Sequence, residues 1–267
     1  MKAVSLYSPY GYKARIGLIV PSTNTTNEPE WWKMAPEGVS IHTSRVLLLG
    51  KADVESYQRM ADSLDRAAEE LATAEVDVLA YGCTSGSFIC PMSQLLDKMR
   101  AHSHTPVTAA AGAVAAALRT LGVRKVAMGT PYVDFVNQAE VAFLAAYGIE
   151  VVSMHGLNLG ETQEERRGHG RVPPEAVYRM ARLIDRDDAE AIFLSCTNLA
   201  TLDVIAQIER DLGKPVVTSN QACFWACLRL IDLRIPVFGY GELLEKHLAP
   251  FDESAFAVSP PKLLRAG

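Results

Sequence analysis

The sequence predicts an α/β fold of two Rossmann-like lobes related by a pseudo-two-fold axis, each with a mainly parallel four-stranded sheet flanked by helices, and a shared cleft between them. Three observations carry this. Short continuous apolar runs alternate with longer segments of helical periodicity. The second half of the chain repeats the first at an offset of about 110 residues, and both halves carry a Cys-Thr pair at the end of an apolar run. Continuous apolar runs suit strands buried on both faces, and their alternation with helices gives right-handed crossovers and a parallel sheet.

The strand runs are RIGLIV from Arg15, VDVLAYG from Val76, KVAMGT from Lys125, EAIFLS from Glu190 and IPVFGY from Ile235. Helical spacing appears in YQRMADSLDRAAEELATA from Tyr57, AAAGAVAAALRTLG from Ala109, VNQAEVAFLAAYG from Val136 and PEAVYRMARLIDRD from Pro174, with Gly122 and Gly148 as helix stops. In the duplication, the segment from Thr105 matches that from Lys214, VDVLAYGCTSG matches AEAIFLSCTNL, and RIGLIVPSTN matches KVAMGTPYVD. The division expected is 1–115 plus 220–267 for the first lobe and 116–219 for the second. Equivalent loops at the C-terminal strand ends then face one cleft, and Cys83 and Cys196 reach it from opposite sides.

With 267 residues, 49% hydrophobic and 21% charged, the chain has the composition of a packed globular protein. A net charge of -5 provides no basic field for nucleic acid, and no apolar stretch approaches the roughly 20 residues that span a bilayer. Five cysteines are an odd number without disulfide-scaffold density, and the opening segment lacks an export pattern. A cytoplasmic protein with reduced thiols and a small-molecule partner is expected.

Cys83 and Cys196 are the candidate catalytic residues. Each follows a buried strand, where a helix N-terminus would draw a thiol below its ordinary pKa of about 8.5. Thr84 and Ser85 beside the first, and Thr197 and Asn198 beside the second, are donors for a carboxylate. A buried core cysteine is the commoner fate of either thiol alone; the matched pair favours chemistry. Ser22, Thr23 and Asn24 follow the first strand in PSTNT, read either as an anion-binding nest or as a capped turn. Their duplicates include Tyr132 and Val133 on the same rim. Cys223 and Cys227 read as helix core. His102 and His104 lack partners at zinc-site spacing, so they read as surface histidines and no metal is expected. The run ETQEERRGHGR from Glu161 to Arg171 mixes both charge signs and reads as a solvated loop, with a cover over the cleft as its second reading.

The PSTNT loop, YGCTSGS, GTPYVDFVN and LSCTNL, in this order, resemble the maleate cis-trans isomerase branch of the aspartate/glutamate racemase superfamily, to which arylmalonate decarboxylases are related. The resemblance implies that Cys83 is the nucleophile, that Cys196 is the acid/base, that Asn24 and Tyr132 contact substrate carboxylates, and that the protein is a homodimer or homotetramer. Decarboxylases of this type lack the first cysteine. Maleate isomerases carry an Asp-Asn pair in the loop after the sixth strand, where this chain reads LGETQ from Leu159; if that loop touches substrate, the substrate need not be maleate. The expected function is cofactor-independent isomerisation of a small dicarboxylate, maleate to fumarate, by covalent addition of Cys83. The alternatives are a two-cysteine amino-acid or hydantoin-type racemase, a decarboxylase of an arylmalonate-like acid, and a two-lobed binding protein.

Overall fold

The computed structural model describes residues 8–251. Residues 1–7, part of the segment read as lacking an export signal, and 252–267, assigned above to the first lobe, lie outside them.

The first half runs β1 (Ala14–Pro21), α1 (Asn27–Met34), β2 (Val39–Val46), α2 (Val54–Asp62), α3 (Leu64–Thr73), β3 (Val78–Tyr81), α4 (Thr84–Ile89), α5 (Met92–His102), β4 (Val107–Ala109) and α6 (Ala110–Thr120). The second runs β5 (Lys125–Thr130), α7 (Asp134–Ala146), β6 (Glu150–Gly156), α8 (Gln163–Gly168), α9 (Pro174–Ile184), β7 (Ala191–Leu194), α10 (Ile205–Leu212), β8 (Val216–Thr218), α11 (Ser219–Leu230) and α12 (Glu242–Lys246). The strands form two parallel four-stranded sheets of matching order, β2-β1-β3-β4 and β6-β5-β7-β8. The second half therefore repeats the first strand for strand, as the duplication predicts.

The continuous apolar runs became central strands. Every residue of β3 and β7 is buried, because helices cover both faces of each sheet. Gly122 and Gly148 end their helices at φ +75°, in the left-handed region. α6, mostly alanine, packs against α11, and its small side chains allow the two helices to approach closely. Trp31 of α1 closes the other side of α11, edge-on to Phe224 at 5.5 Å, with its indole N–H donating to the Asn220 carbonyl at 3.0 Å. Cys223 and Cys227 are fully buried in this layer, as their spacing implies.

Two expectations fail. IPVFGY is not a strand: Pro236 has no N–H to give a ladder, Gly239 and Gly241 adopt positive φ, and Val237 N–H instead bonds the Leu244 carbonyl of α12. The helix expected over Tyr57–Ala74 is two helices, α2 and α3, broken at Ser63 (φ -87°, ψ 0°). The apolar runs did not reveal the four sheet edges: β2 and β6 have polar residues interrupting their apolar ones, and β4 and β8 are three residues long.

Candidate active site

Cys83 follows β3 after Gly82, whose N–H bonds the Ile19 carbonyl of β1 at 2.7 Å. It is the N-cap of α4, and its Sγ accepts the Gly86 N–H at 3.3 Å, with the Ser85 hydroxyl 3.8 Å away. Gly86 has no room for a side chain: a Cβ there would lie 2.6 Å from the Tyr81 hydroxyl and 3.0 Å from Cys83 Sγ. The helix start is where the sequence puts it, but the expected drop in thiol pKa is not realised. Burial pushes Cys83 above its ordinary value, against the lowering pull of the Gly86 N–H, Ser85 and the Arg166 charge.

Cys196 follows β7 after Ser195 and departs from its expected twin context. No helix begins beside it; the next helical turn is Leu202–Val204. Its backbone instead takes φ +112°, a strained value for a side-chain-bearing residue, held by its N–H donating to the Ser219 hydroxyl at 3.0 Å. The Sγ accepts the Asn198 N–H at 3.3 Å. Burial raises this thiol to about 12, opposed by Tyr132 and the Asn198 N–H.

The two loops are joined. The Ser219 hydroxyl that receives Cys196 N–H also accepts from Thr84 at 2.8 Å; Thr197 donates to the Gly82 carbonyl at 2.9 Å; and Asn24 Nδ2 donates to Thr197 at 3.1 Å. Glu30 extends the junction by accepting the N–H groups of Thr201 and Leu202 at 2.7 and 2.9 Å and the Asn220 amide at 2.7 Å.

Both cysteines line one small cleft with Thr23, Asn24, Thr84, Ser85, Tyr132, Thr197 and Asn198. The space between these residues is about 390 Å³ even when its open mouth is counted, which suits a small acid rather than a large ligand. Of the residues named from sequence, Ser22 and Val133 are absent from this wall. Ser22 accepts the Leu48 N–H at 3.0 Å and faces an outer groove, while Val133 is buried at the start of α7. Asn24 is a cap as well as a wall residue: its Oδ1 takes the N–H groups of Thr26 and Asn27 at 2.9 and 3.0 Å. One N–H of its amide remains after the bond to Thr197.

Sequence reasoning missed Tyr57, Arg166 and His169, which with Pro21 and Leu48 complete the wall. The segment read as a solvated loop is helical, forming α8 and the turn His169–Arg171, and it buries Arg166 and His169 in the cleft. Two signals were available. Thr162 and Glu165 match a capping-box pattern, and Thr162 does accept the Glu165 N–H at 3.1 Å. Arg166 and His169, three apart, share a helix face. His169 Nε2 lies 2.9 Å from the Leu159 carbonyl, which can only accept, so the proton of neutral His169 sits on Nε2 and Nδ1 is bare. That Nδ1 lies 3.8 Å from Cys196 Sγ, and burial lowers the imidazole pKa to about 4.

A family model described as arylmalonate decarboxylase matches residues 16–244. The chain belongs to the arylmalonate decarboxylase family. Within that family it is 30% identical to a maleate isomerase of Geobacillus stearothermophilus, over 86% of this chain and 96% of the other. It is 32% identical to the arylmalonate decarboxylase of Bordetella bronchiseptica, with the same shares covered. A cysteine-to-serine variant of Nocardia farcinica maleate cis-trans isomerase, solved with a covalently bound succinylcysteine intermediate, superimposes with a TM-score of 0.79 at 27% identity, over 87% of this chain and 98% of that one. The Nocardia isomerase shares the fold of this chain, and the resemblance read from the four motifs holds.

Proposed function

We propose that this protein is a cofactor-independent isomerase that converts maleate to fumarate through a covalent adduct on Cys83. The observation that carries the reading is the presence of two thiols in one cleft too small for a large substrate, each sulfur held by a backbone N–H. The succinylcysteine trapped on the Nocardia isomerase supports the same chemistry here.

Rotation about a C=C bond is prohibitive, so the double bond must be saturated for a time. Cys83 thiolate adds to one alkene carbon, forming a C–S bond, and the π pair moves onto the neighbouring carbon and its carboxylate. The Cys196 thiol protonates that carbon, giving a succinyl thioether whose central bond is single and turns freely. Cys196 thiolate then removes a proton from the same carbon, the C–S bond breaks, and fumarate leaves with Cys83 again a thiolate. The Asn198 N–H and the Tyr132 hydroxyl face the Cys196 sulfur while it is charged. The Ser85 hydroxyl and the free Asn24 N–H are suited to charge building on the carboxylates, whereas the hydroxyl protons of Thr84 and Thr197 are already given to Ser219 and the Gly82 carbonyl. Possession of both thiols disfavours decarboxylation alone as the reaction.

The cytoplasmic location, the homodimer or homotetramer, and the division into 1–115 plus 220–267 and 116–219 belong to the same proposal. Among the described residues no helix is long and apolar enough to cross a membrane, and α11 packs on α6, β3 and β4 of the first half.

Proton NMR of maleate with the wild-type protein and Cys83→Ser tests the reading. Fumarate formation that disappears in the variant is expected. Undiminished turnover by Cys83→Ser would refute covalent addition, and α-deuteration of an amino acid in D2O without fumarate formation would favour the racemase instead.

A further inference from the structure

Arg166 is 4% exposed, and among the described residues no carboxylate forms an ion pair with its guanidinium. Its Nη1 makes three donor contacts, to the Gly50 and Lys51 carbonyls at 3.1 and 2.7 Å and to the Ser56 hydroxyl at 3.0 Å, and its guanidinium lies over the Tyr57 ring at 4.7 Å. Its Nη2 is buried and, among the described residues, has no hydrogen-bond partner. A desolvated guanidinium held by neutral groups, with one nitrogen unsatisfied, is costly unless an anion completes it. This one stands in the wall of the cleft, close enough for its charge to act on Cys83.

We propose that Arg166 is the specificity-determining residue of the site: Nη2 binds one carboxylate of the substrate, so the site selects a doubly charged acid over its monoamide. The inference rests on the isomerase reading for the identity of the diacid, but not for the binding of an anion. The geometry also says how the anchor is built. Two acceptors of Nη1, the Gly50 and Lys51 carbonyls, lie between β2 and α2 and the third, the Ser56 hydroxyl, in the first turn of α2, so all three belong to the first half of the chain while α8, which carries Arg166, belongs to the second. Seating α8 aims the guanidinium, leaving Nη2 for the ligand. The Arg166 charge then lies near both a carboxylate and the attacking sulfur, favouring the thiolate that burial alone disfavours.

Two measurements test it. The first reads alkylation of Cys83 by iodoacetate and by iodoacetamide, quantified by peptide mass spectrometry, in wild type, Arg166→Gln and Arg166→Lys. A carboxylate anchor makes the iodoacetate-to-iodoacetamide rate ratio fall about 10- to 100-fold in Arg166→Gln, with Arg166→Lys between, whereas a merely structural arginine shifts both rates together. The second needs no variant: succinate should protect wild-type Cys83 from iodoacetamide at concentrations at least about 10-fold lower than succinamate does. An unchanged ratio in a folded variant, or equal protection by the two acids, would overturn the assignment. Maleate turnover is followed alongside: anion preference at Cys83 without fumarate production would sink the isomerase reading and leave the anchor, while turnover with no anion preference would do the reverse.

Discussion

At the scale of single residues, the site is governed by burial opposed by a few aimed donors. Both candidate thiols are raised by burial, so the resting thiolate population is small, and Cys83 alkylation by a neutral reagent should still be accelerating at pH 9. A plateau below pH 8 would mean that the Gly86 N–H and Arg166 outweigh desolvation. His169 gives a second titration. Its folded-state pKa lies near 4 against an ordinary 6.5, so the unfolded chain binds the proton more readily as pH falls between these values. Stability is therefore present above 6.5 and lost on approach to 4, by roughly 3 kcal/mol from this residue. Denaturant titrations of His169→Asn should show a shallower loss over that window; an identical slope would place the imidazole in water. Glu140 has the opposite sign. Burial lifts it to about 8, with Ser195 donating to Oε1 at 2.6 Å and Oε2 unpartnered, so its contribution fades as pH rises from 4.5 through 8. Glu140→Gln should gain stability relative to wild type above pH 8 and match it near pH 5. Cys83 and Cys196 were legible because the duplication marks them twice. The strained φ of Cys196 was not, since it follows from a tertiary bond to Ser219 that lies 23 residues away.

At the scale of elements, the central strands and the long helices followed from periodicity, while the edge strands did not: β2 and β6 lack the two-sided burial that writes a continuous apolar run, and β4 and β8, though buried, are only three residues long. α8 is the instructive miss. Its composition is that of a solvated helix, and the pairs Glu164–Arg167 and Glu164–Arg171 are solvated, but one turn of it faces inward. Charge content reports the majority of a short helix, and only the i, i+3 relation of Arg166 and His169 reports the face. The loop after β6 that departs from the maleate isomerase pattern does not itself line the cleft but leads into this helix, and its Leu159 carbonyl holds His169 in the wall, which makes the segment the place to look for substrate preference. α4 carries a related prediction. Gly86→Ala places a methyl against the Tyr81 hydroxyl and Cys83 Sγ, so it should cost about 1–3 kcal/mol in chemical denaturation and displace the sulfur enough to slow its alkylation. A variant of wild-type stability and reactivity would show that α4 shifts without consequence.

At the scale of the whole molecule, two sheets of the same order present their C-terminal loops to one cleft, and the polar contacts across it decide how fixed the thiols are. Glu30 is central to that junction. Removing it in Glu30→Ala leaves the Thr201 and Leu202 N–H groups without their acceptor in a buried setting, and should lower unfolding free energy by about 2–4 kcal/mol. The repeat made this architecture readable from sequence. It could not supply the junction, whose members Glu30, Ser219 and Asn220 have no signature beyond being polar residues in helices. The central claim is that both sulfurs serve one bound diacid, and trapping tests it most directly: Cys196→Ser is incubated with maleate and analysed by intact-protein and peptide mass spectrometry. A gain of one maleic acid, located on Cys83 and lacking in Cys83→Ser, is the predicted result; an unmodified Cys83, or an adduct located on another cysteine, would contradict it.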